Sequence, residues 1–331
     1  MATYKGIQGY SVQSLASDPP AEQSVGQLWY NSASNVWKLA TQGTAAWASA
    51  PARVTGTNSG AGCGTQSAMV TFGGNAAPSY STSGITQTYN GTSWSVSPVT
   101  ITARYLMAGF GTSTAAICAG GAAPTTGATE EFDGSSWTAV NALNNLCSHT
   151  AGCGTSTAGI KTGGDTPPKS PNLSGNSEKW NGTSWTEVTG FTSGRTNMAT
   201  GGTQDSCLVM GGTQVPAHLG FVEEYNGTSW SEKADLLTDR SHVGCSANGT
   251  VTSMILIAGS LQPPAAAQAL TESWNGTSWT EVADLASANN YNVGGGTSTA
   301  AINVAGAPNP VNTVVEEYND PFYSIKTVTT S

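Results

Sequence analysis

The sequence predicts an all-β protein built as a β-propeller, and three observations lead there. The hexapeptide Trp274-Asn275-Gly276-Thr277-Ser278-Trp279 recurs nearly letter for letter at Tyr89–Trp94, Trp180–Trp185 and Tyr225–Trp230, and with Asp for Asn at Phe132–Trp137. The Trp that ends each motif, preceded by Trp47, recurs at Trp94, Trp137, Trp185, Trp230 and Trp279 in steps of 47, 43, 48, 45 and 49 residues. That is the roughly 40–50-residue period of propeller blades. The composition agrees: 41 Gly and only 9% charged residues in 331 describe short strands and many turns.

Ten Trp and ten Tyr argue for a packed interior rather than a disordered chain. The net charge of -9, with scattered Lys and Arg, argues against nucleic acid as a partner. The opening Met1-Ala2-Thr3-Tyr4-Lys5-Gly6 shows no signal-peptide apolar core, and no run of about eighteen apolar residues predicts membrane insertion. The six cysteines form no Cys-x-x-Cys pair, so zinc and redox sites are not expected, and free buried thiols are.

In chain order, residues 1–41 lie outside the repeat. Ser17-Asp18-Pro19-Pro20 is a breaker, and Gln27–Tyr30 with Asn35–Leu39 reads as a hairpin, a small N-terminal attachment or docking element. Residues 42–320 carry the repeat. One unit is four strands: Gly-rich Ala108–Gly111, apolar Thr114–Cys118 leading to Gly120-Gly121, Ala128–Phe132, a two-residue turn at Asp133-Gly134, then Ser136–Val140. Six sets of first, second and third strands are present. The sixth ends at Glu316-Glu317-Tyr318, where Asn319-Asp320-Pro321 breaks the motif, whereas Trp47 lies in a fourth strand without the first three. Six blades, the last completed by the Trp47 strand, are therefore expected, with 321–331 as a tail free to pack elsewhere. A seven-bladed count using the Tyr30–Trp37 hairpin is the alternative.

These features resemble the kelch family. Arg104, Arg195 and Arg240 precede three first strands, and Gly73-Gly74, Gly120-Gly121, Gly163-Gly164 and Gly211-Gly212 end four second strands, weakening to Gly259-Ser260 and Gly306-Ala307. An aromatic residue and then Trp follow, two residues closer together than is usual for the family. The chain is thus similar to a six-bladed kelch-like β-propeller with tighter outer hairpins. The opening Gly26-Gln27-Leu28-Trp29-Tyr30-Asn31-Ser32, after Ser14–Pro20, also resembles bacteriophage virion proteins such as tail-fibre and appendage subunits. That resemblance implies a virion protein made in the host cytoplasm, joined to other virion subunits through its N-terminal segment in a homo-oligomeric or multi-subunit assembly.

Residue types present in nearly every unit are assigned to folding. Two positions before each motif aromatic stand Gln87, Glu130, Glu178, Glu223, Glu272 and Glu316. A carboxylate ring resembles a metal site or glycosidase pair only superficially; buried carboxylates need backbone N–H donors or an Arg, and that structural role is expected. Cys63, Cys153 and Cys245 fall on first strands of alternate units, too far apart for one zinc. Asn-Gly-Thr sequons are explained by the turn. His149, His218 and His242 form no catalytic set, so no enzyme activity, metal or cofactor is expected.

Length variation concentrates in the second-to-third-strand loops, Asn75–Gly84, Ala122–Gly127, Asp165–Gly175, Thr213–Leu219, Leu261–Ala269 and Ala307–Val311, each with a Pro. On this loop face Tyr80, Asp165, Lys169 and His218 are the candidate binding residues. The expected function is a non-enzymatic virion structural or adsorption protein, its loops presented to a host-surface glycan or protein. A carbohydrate-binding propeller lectin and a sugar-acting propeller enzyme are the alternatives.

Overall fold

The computed structural model describes residues 13–20, 23–167, 173–262, 266–304, 306–307, 313–320 and 322–328. The chain divides into two compact units, Met1–Ala46 with Asn319–Ser331, and Trp47–Tyr318. Every named element is a β-strand. Among the described residues no helix is long and apolar enough to cross a membrane.

The smaller unit is one four-stranded sheet in the order Gln13–Leu15, Leu28–Asn31, Val36–Gly43, Phe322–Val328. The first pair is parallel and the other two antiparallel. The residues read from sequence as a free tail are thus the fourth strand here. No repeat signal links them to Val36–Gly43, because the pairing is made by backbone groups. Asp18 of the Pro-rich breaker accepts hydrogen bonds from Trp29 Nε1 (3.1 Å) and Asn31 Nδ2 (2.6 Å), which ties the breaker to the sheet.

The larger unit contains, among the described residues, six small four-stranded antiparallel sheets, a pattern consistent with a propeller-like fold. Sheet two is typical: Ala108–Thr112, Ala115–Ala119, Thr129–Phe132 and Trp137–Val140 in sequence order. First strands in the other sheets are Ala61–Thr65, Ala151–Thr155, Ala199–Thr203, Gly244–Cys245 and Val293–Gly296. The sixth sheet runs Val293–Gly296, Ala300–Val304, Val315–Asn319 and then Ala46–Ala50, the strand carrying Trp47. First strands neighbour one another in the cycle one-two-three-four-five-six-one. Close approach explains their glycines: a Cβ on Gly109 would lie 2.8 Å from both Ala61 Cβ and Phe72 Cζ.

Apolar side chains fill the spaces between adjacent sheets. Val70 and Phe72 pack with Ala116, Phe132 and Trp137; Met69, Tyr89 and Trp94 pack with Ile302, Val304 and Val315, joining sheet one to sheet six. Second strands are buried along most of their length, Met254–Ile257 over all of it. All six cysteines are buried and free.

The third-to-fourth-strand hairpin differs from the two-residue turn expected. Tyr89 pairs directly with Trp94, so Asn90–Ser93 form a four-residue loop closed by Asn90 N–H to Ser93 O (3.2 Å). Only Gly91 has positive φ (88°) there. Asn90 Oδ1 accepts from the amides of Thr92 and Ser93, both at 2.9 Å, as Asn181, Asn226 and Asn275 do in theirs. The Asn therefore caps the loop with its side chain instead of adopting left-handed backbone itself.

Candidate functional site

Each carboxylate two positions before the motif aromatic is buried and holds the connection leading into its own sheet. Glu130 accepts from the amides of Ile101 and Thr102, Glu178 from Asn144 and Asn145, Glu223 from Thr192 and Ser193, Glu272 from Leu237, and Glu316 from Ala286. Three also form buried ion pairs: Arg104–Glu130 (3.0 Å), Arg195–Glu223 (2.8 Å) and Arg240–Glu272 (2.6 Å). These groups join neighbouring connections to the sheets, and none faces a cavity described below.

The connections entering the first strands converge elsewhere. Leu106 N–H donates to Ser59 O (2.7 Å), His149 to Leu106 O (2.8 Å), Asn197 to His149 O (3.3 Å), His242 to Asn197 O (2.8 Å), Tyr291 to His242 O (3.0 Å), and Ser59 to Tyr291 O (3.2 Å). Six residues from six connections thus close a ring of backbone hydrogen bonds. All six have left-handed backbone, with φ between 54° and 57°. That conformation is easy for Asn and costly for Leu, Tyr and most others, so the ring is held by the surrounding sheets rather than by local preference.

The ring rims a small recess, partly open to solvent, lined by its six residues together with Gly60, Met107, Thr150, Met198, Val243 and Asn292. Below it, the six first strands line a second cavity that is more open to solvent. The second-to-third-strand loops lie on this same side. The residue preceding each of five ring positions bridges to the start of its sheet's own loop: Tyr105 to Ala122, Ser148 to Asp165, Thr196 to Thr213, Ser241 to Ser260 and Asn290 to Ala307.

The recess is neutral. No Asp, Glu, Lys or Arg lines it. Burial lowers the His149 pKa, partly countered by Asp165, and burial lowers that of His242 to about 3, helped by the nearby His218 and His149. Both are uncharged near pH 7. Their Nδ1 atoms meet the hydroxyls of Ser148 (3.0 Å) and Ser241 (2.8 Å). The His242 ring lies 3.9 Å, centroid to centroid, from Tyr291 and 6.1 Å from His218. Among the described residues no group of three or more His, Cys, Asp or Glu is arranged to hold a metal.

Of the sequence-derived binding residues, Tyr80 is 37% exposed in the first loop, with φ of 52°. Asp165 ends the strand Ala158–Asp165, half-buried, bridged to Ser148 beside ring residue His149. Lys169 lies outside the described residues. His218 is 7% exposed, its Nδ1 2.8 Å from Ser260 O, and faces His242 instead of projecting from the loop. The structure therefore brings His218 and Asp165 toward the ring and leaves Tyr80 outward. Sequence reasoning missed Ser59, Leu106, Asn197 and Tyr291 as a set. A signal existed: each of the six ring residues stands twelve positions after a motif Trp. No protein-family model matches the chain, and no curated protein matches it.

Proposed function

We propose that the chain is a non-enzymatic, six-bladed kelch-like β-propeller that serves a bacteriophage particle as a structural or adsorption subunit. The observation that carries this reading is the division of labour within the chain. The repeats form one unit, and among the described residues the segments flanking them, Gln13–Leu15, Leu28–Asn31, Val36–Gly43 and Phe322–Val328, form a separate sheet suited to attachment. Because this sheet holds a segment from each side of the repeats, load on the repeats enters at two covalent points rather than one. The repeat carboxylates are engaged in folding contacts, which supports binding over catalysis. The ring and its surrounding loops form the binding face.

Cross-linking of purified particles, followed by mass spectrometry, tests the proposal. Lys38 and Lys326 lie on adjacent strands of the attachment sheet. They are expected to link to other virion subunits. Absence of the chain from purified particles would overturn the reading.

A further inference from the structure

We propose that the recess rimmed by Ser59, Leu106, His149, Asn197, His242 and Tyr291 binds a neutral polyhydroxy ligand, a single sugar or the end of an uncharged glycan. This rests on the reading of the ring-and-loop face as the binding face, and it names the place and the ligand class.

Charge narrows the ligand first. The lining has no formally charged side chain, and both ring histidines are neutral near pH 7. A charged group entering here would shed water and meet no counter-charge, which opposes its binding. Nucleotides, acidic sugars and amines are disfavoured on that ground.

Hydrogen-bonding capacity narrows it further. Asn292 is 8% exposed and lines both the recess and the cavity beneath it. Its amide nitrogen donates to Asn303 Oδ1 at 2.6 Å, while its own Oδ1 has no partner. Asn197 Oδ1, on the rim, is also without a partner. A buried acceptor left unpaired is destabilising, and a donor from a ligand removes that cost. The histidines use Nδ1 on serine hydroxyls, and among the described residues their Nε2 atoms have no partner. Depending on the tautomer, each Nε2 donates or accepts. Hydroxyls do both, so a polyol satisfies this mixture where a purely donating or accepting ligand does not.

Size and shape agree. The recess is small and partly open to solvent, which suits one sugar ring or a chain end rather than a larger ligand. Tyr291 and His242 supply ring surface for the apolar C–H face of a pyranose. The closed backbone ring fixes these groups beforehand and so limits the ordering cost of binding.

The test is titration calorimetry and NMR shift mapping of the full chain. The probes are methyl glycosides of glucose, galactose, mannose and N-acetylglucosamine, with glucuronate, N-acetylneuraminate and glucosamine as charged counterparts. At least one neutral glycoside is expected to bind, shifting ring residues, with its charged counterpart at least about tenfold weaker. Asn197→Ala is expected to weaken binding about tenfold, the loss of one or two hydrogen bonds, and Val96→Ala, at an exposed position of the strand Trp94–Ser97, to leave it unchanged. Asn197→Asp keeps the size and backbone preference of the residue and guards against a folding failure; its new charge is also expected to weaken binding. No neutral glycoside binding at tens of millimolar, tighter binding of a charged sugar, or shifts confined to other surfaces would overturn the proposal. A chain that binds no sugar but cross-links to virion neighbours loses this inference and keeps the attachment reading; the converse result separates them the other way.

Discussion

Trp47 packs on Tyr318 with ring centroids 5.2 Å apart, although the two residues come from opposite ends of the repeat region. The five hairpin pairs Tyr89–Trp94, Phe132–Trp137, Trp180–Trp185, Tyr225–Trp230 and Trp274–Trp279 lie at 5.0, 5.1, 5.3, 5.0 and 5.2 Å. The long-range pair therefore repeats a local one. Trp47 Nε1 also donates to Thr271 Oγ1 (3.2 Å), as Trp137 does to Thr86 (3.0 Å) and Trp185 to Thr129 (3.1 Å).

Trp47→Ala is accordingly expected to cost about 2–4 kcal/mol, comparable to Trp137→Ala, because each removes a ring contact and a hydrogen bond to the neighbouring sheet. Val96→Ala, at a site 61% exposed, is expected to change stability by less than about 0.5 kcal/mol. Chemical denaturation of the three variants checks this. A Trp47→Ala protein as stable as Val96→Ala would show that the sixth sheet does not depend on its long-range strand.

Breaking a buried ion pair gives a second expectation. Arg195 Nη1 and Glu223 Oε1 are 2.8 Å apart, with side-chain exposures of 0% and 3%. Glu223→Gln leaves the guanidinium buried without its counter-charge and is expected to cost about 3–5 kcal/mol in a denaturant titration.

Sheet one shows the converse situation. Arg53 is 4% exposed, and its Nη1 donates weakly to Thr57 O (3.4 Å) while Nε and Nη2 have no partner. The carboxylate position of this sheet is Gln87, which exchanges hydrogen bonds with the backbone of Thr55. Burial with no carboxylate beside it lowers the Arg53 pKa to about 10. Gln87→Glu supplies the missing charge and is expected to raise stability at pH 7 by about 1–2 kcal/mol. An unchanged or lower melting temperature would contradict it.

The ring histidines set a pH dependence. His242 titrates near 3 when folded and near 6.5 when unfolded, so between these values the unfolded chain binds more protons. His149 is shifted in the same direction. Stability is therefore complete above about pH 6.5 and falls as pH drops toward 3, by about 4–5 kcal/mol for His242. His242→Asn, which suits the left-handed backbone, is expected to flatten that slope. Melting curves from pH 7.5 to 4 measure it.

Backbone conformation at the ring gives the last expectation. Leu106 has φ of 56°. Leu106→Val puts a β-branched side chain there and is expected to destabilise by about 1–2 kcal/mol, whereas Leu106→Asn is expected to be neutral or stabilising. Thermal melts of the pair distinguish them, and equal melting temperatures would contradict the strain.

The parts of the fold legible in the sequence are those written as residue identity. The Trp period, the Gly-rich first strands and the recurring Glu name themselves because every sheet needs the same contacts. The ring was hidden because Ser59, Leu106, His149, Asn197, His242 and Tyr291 share a backbone conformation and no side-chain chemistry; only their constant distance from the motif Trp marks them. The Asn-Gly loop was misjudged in length because the Asn works through its side chain. His218 looked like a loop residue because its burial depends on Ser260 and His242, which are distant in sequence.

The most direct test of the proposed function is a density map of the intact particle, traced through residues 13–43 and 322–328. Their sheet is expected to be gripped by a neighbouring virion subunit while the ring and the surrounding loops face outward. A sheet free in solvent, or a ring-and-loop face buried against another subunit, would contradict it.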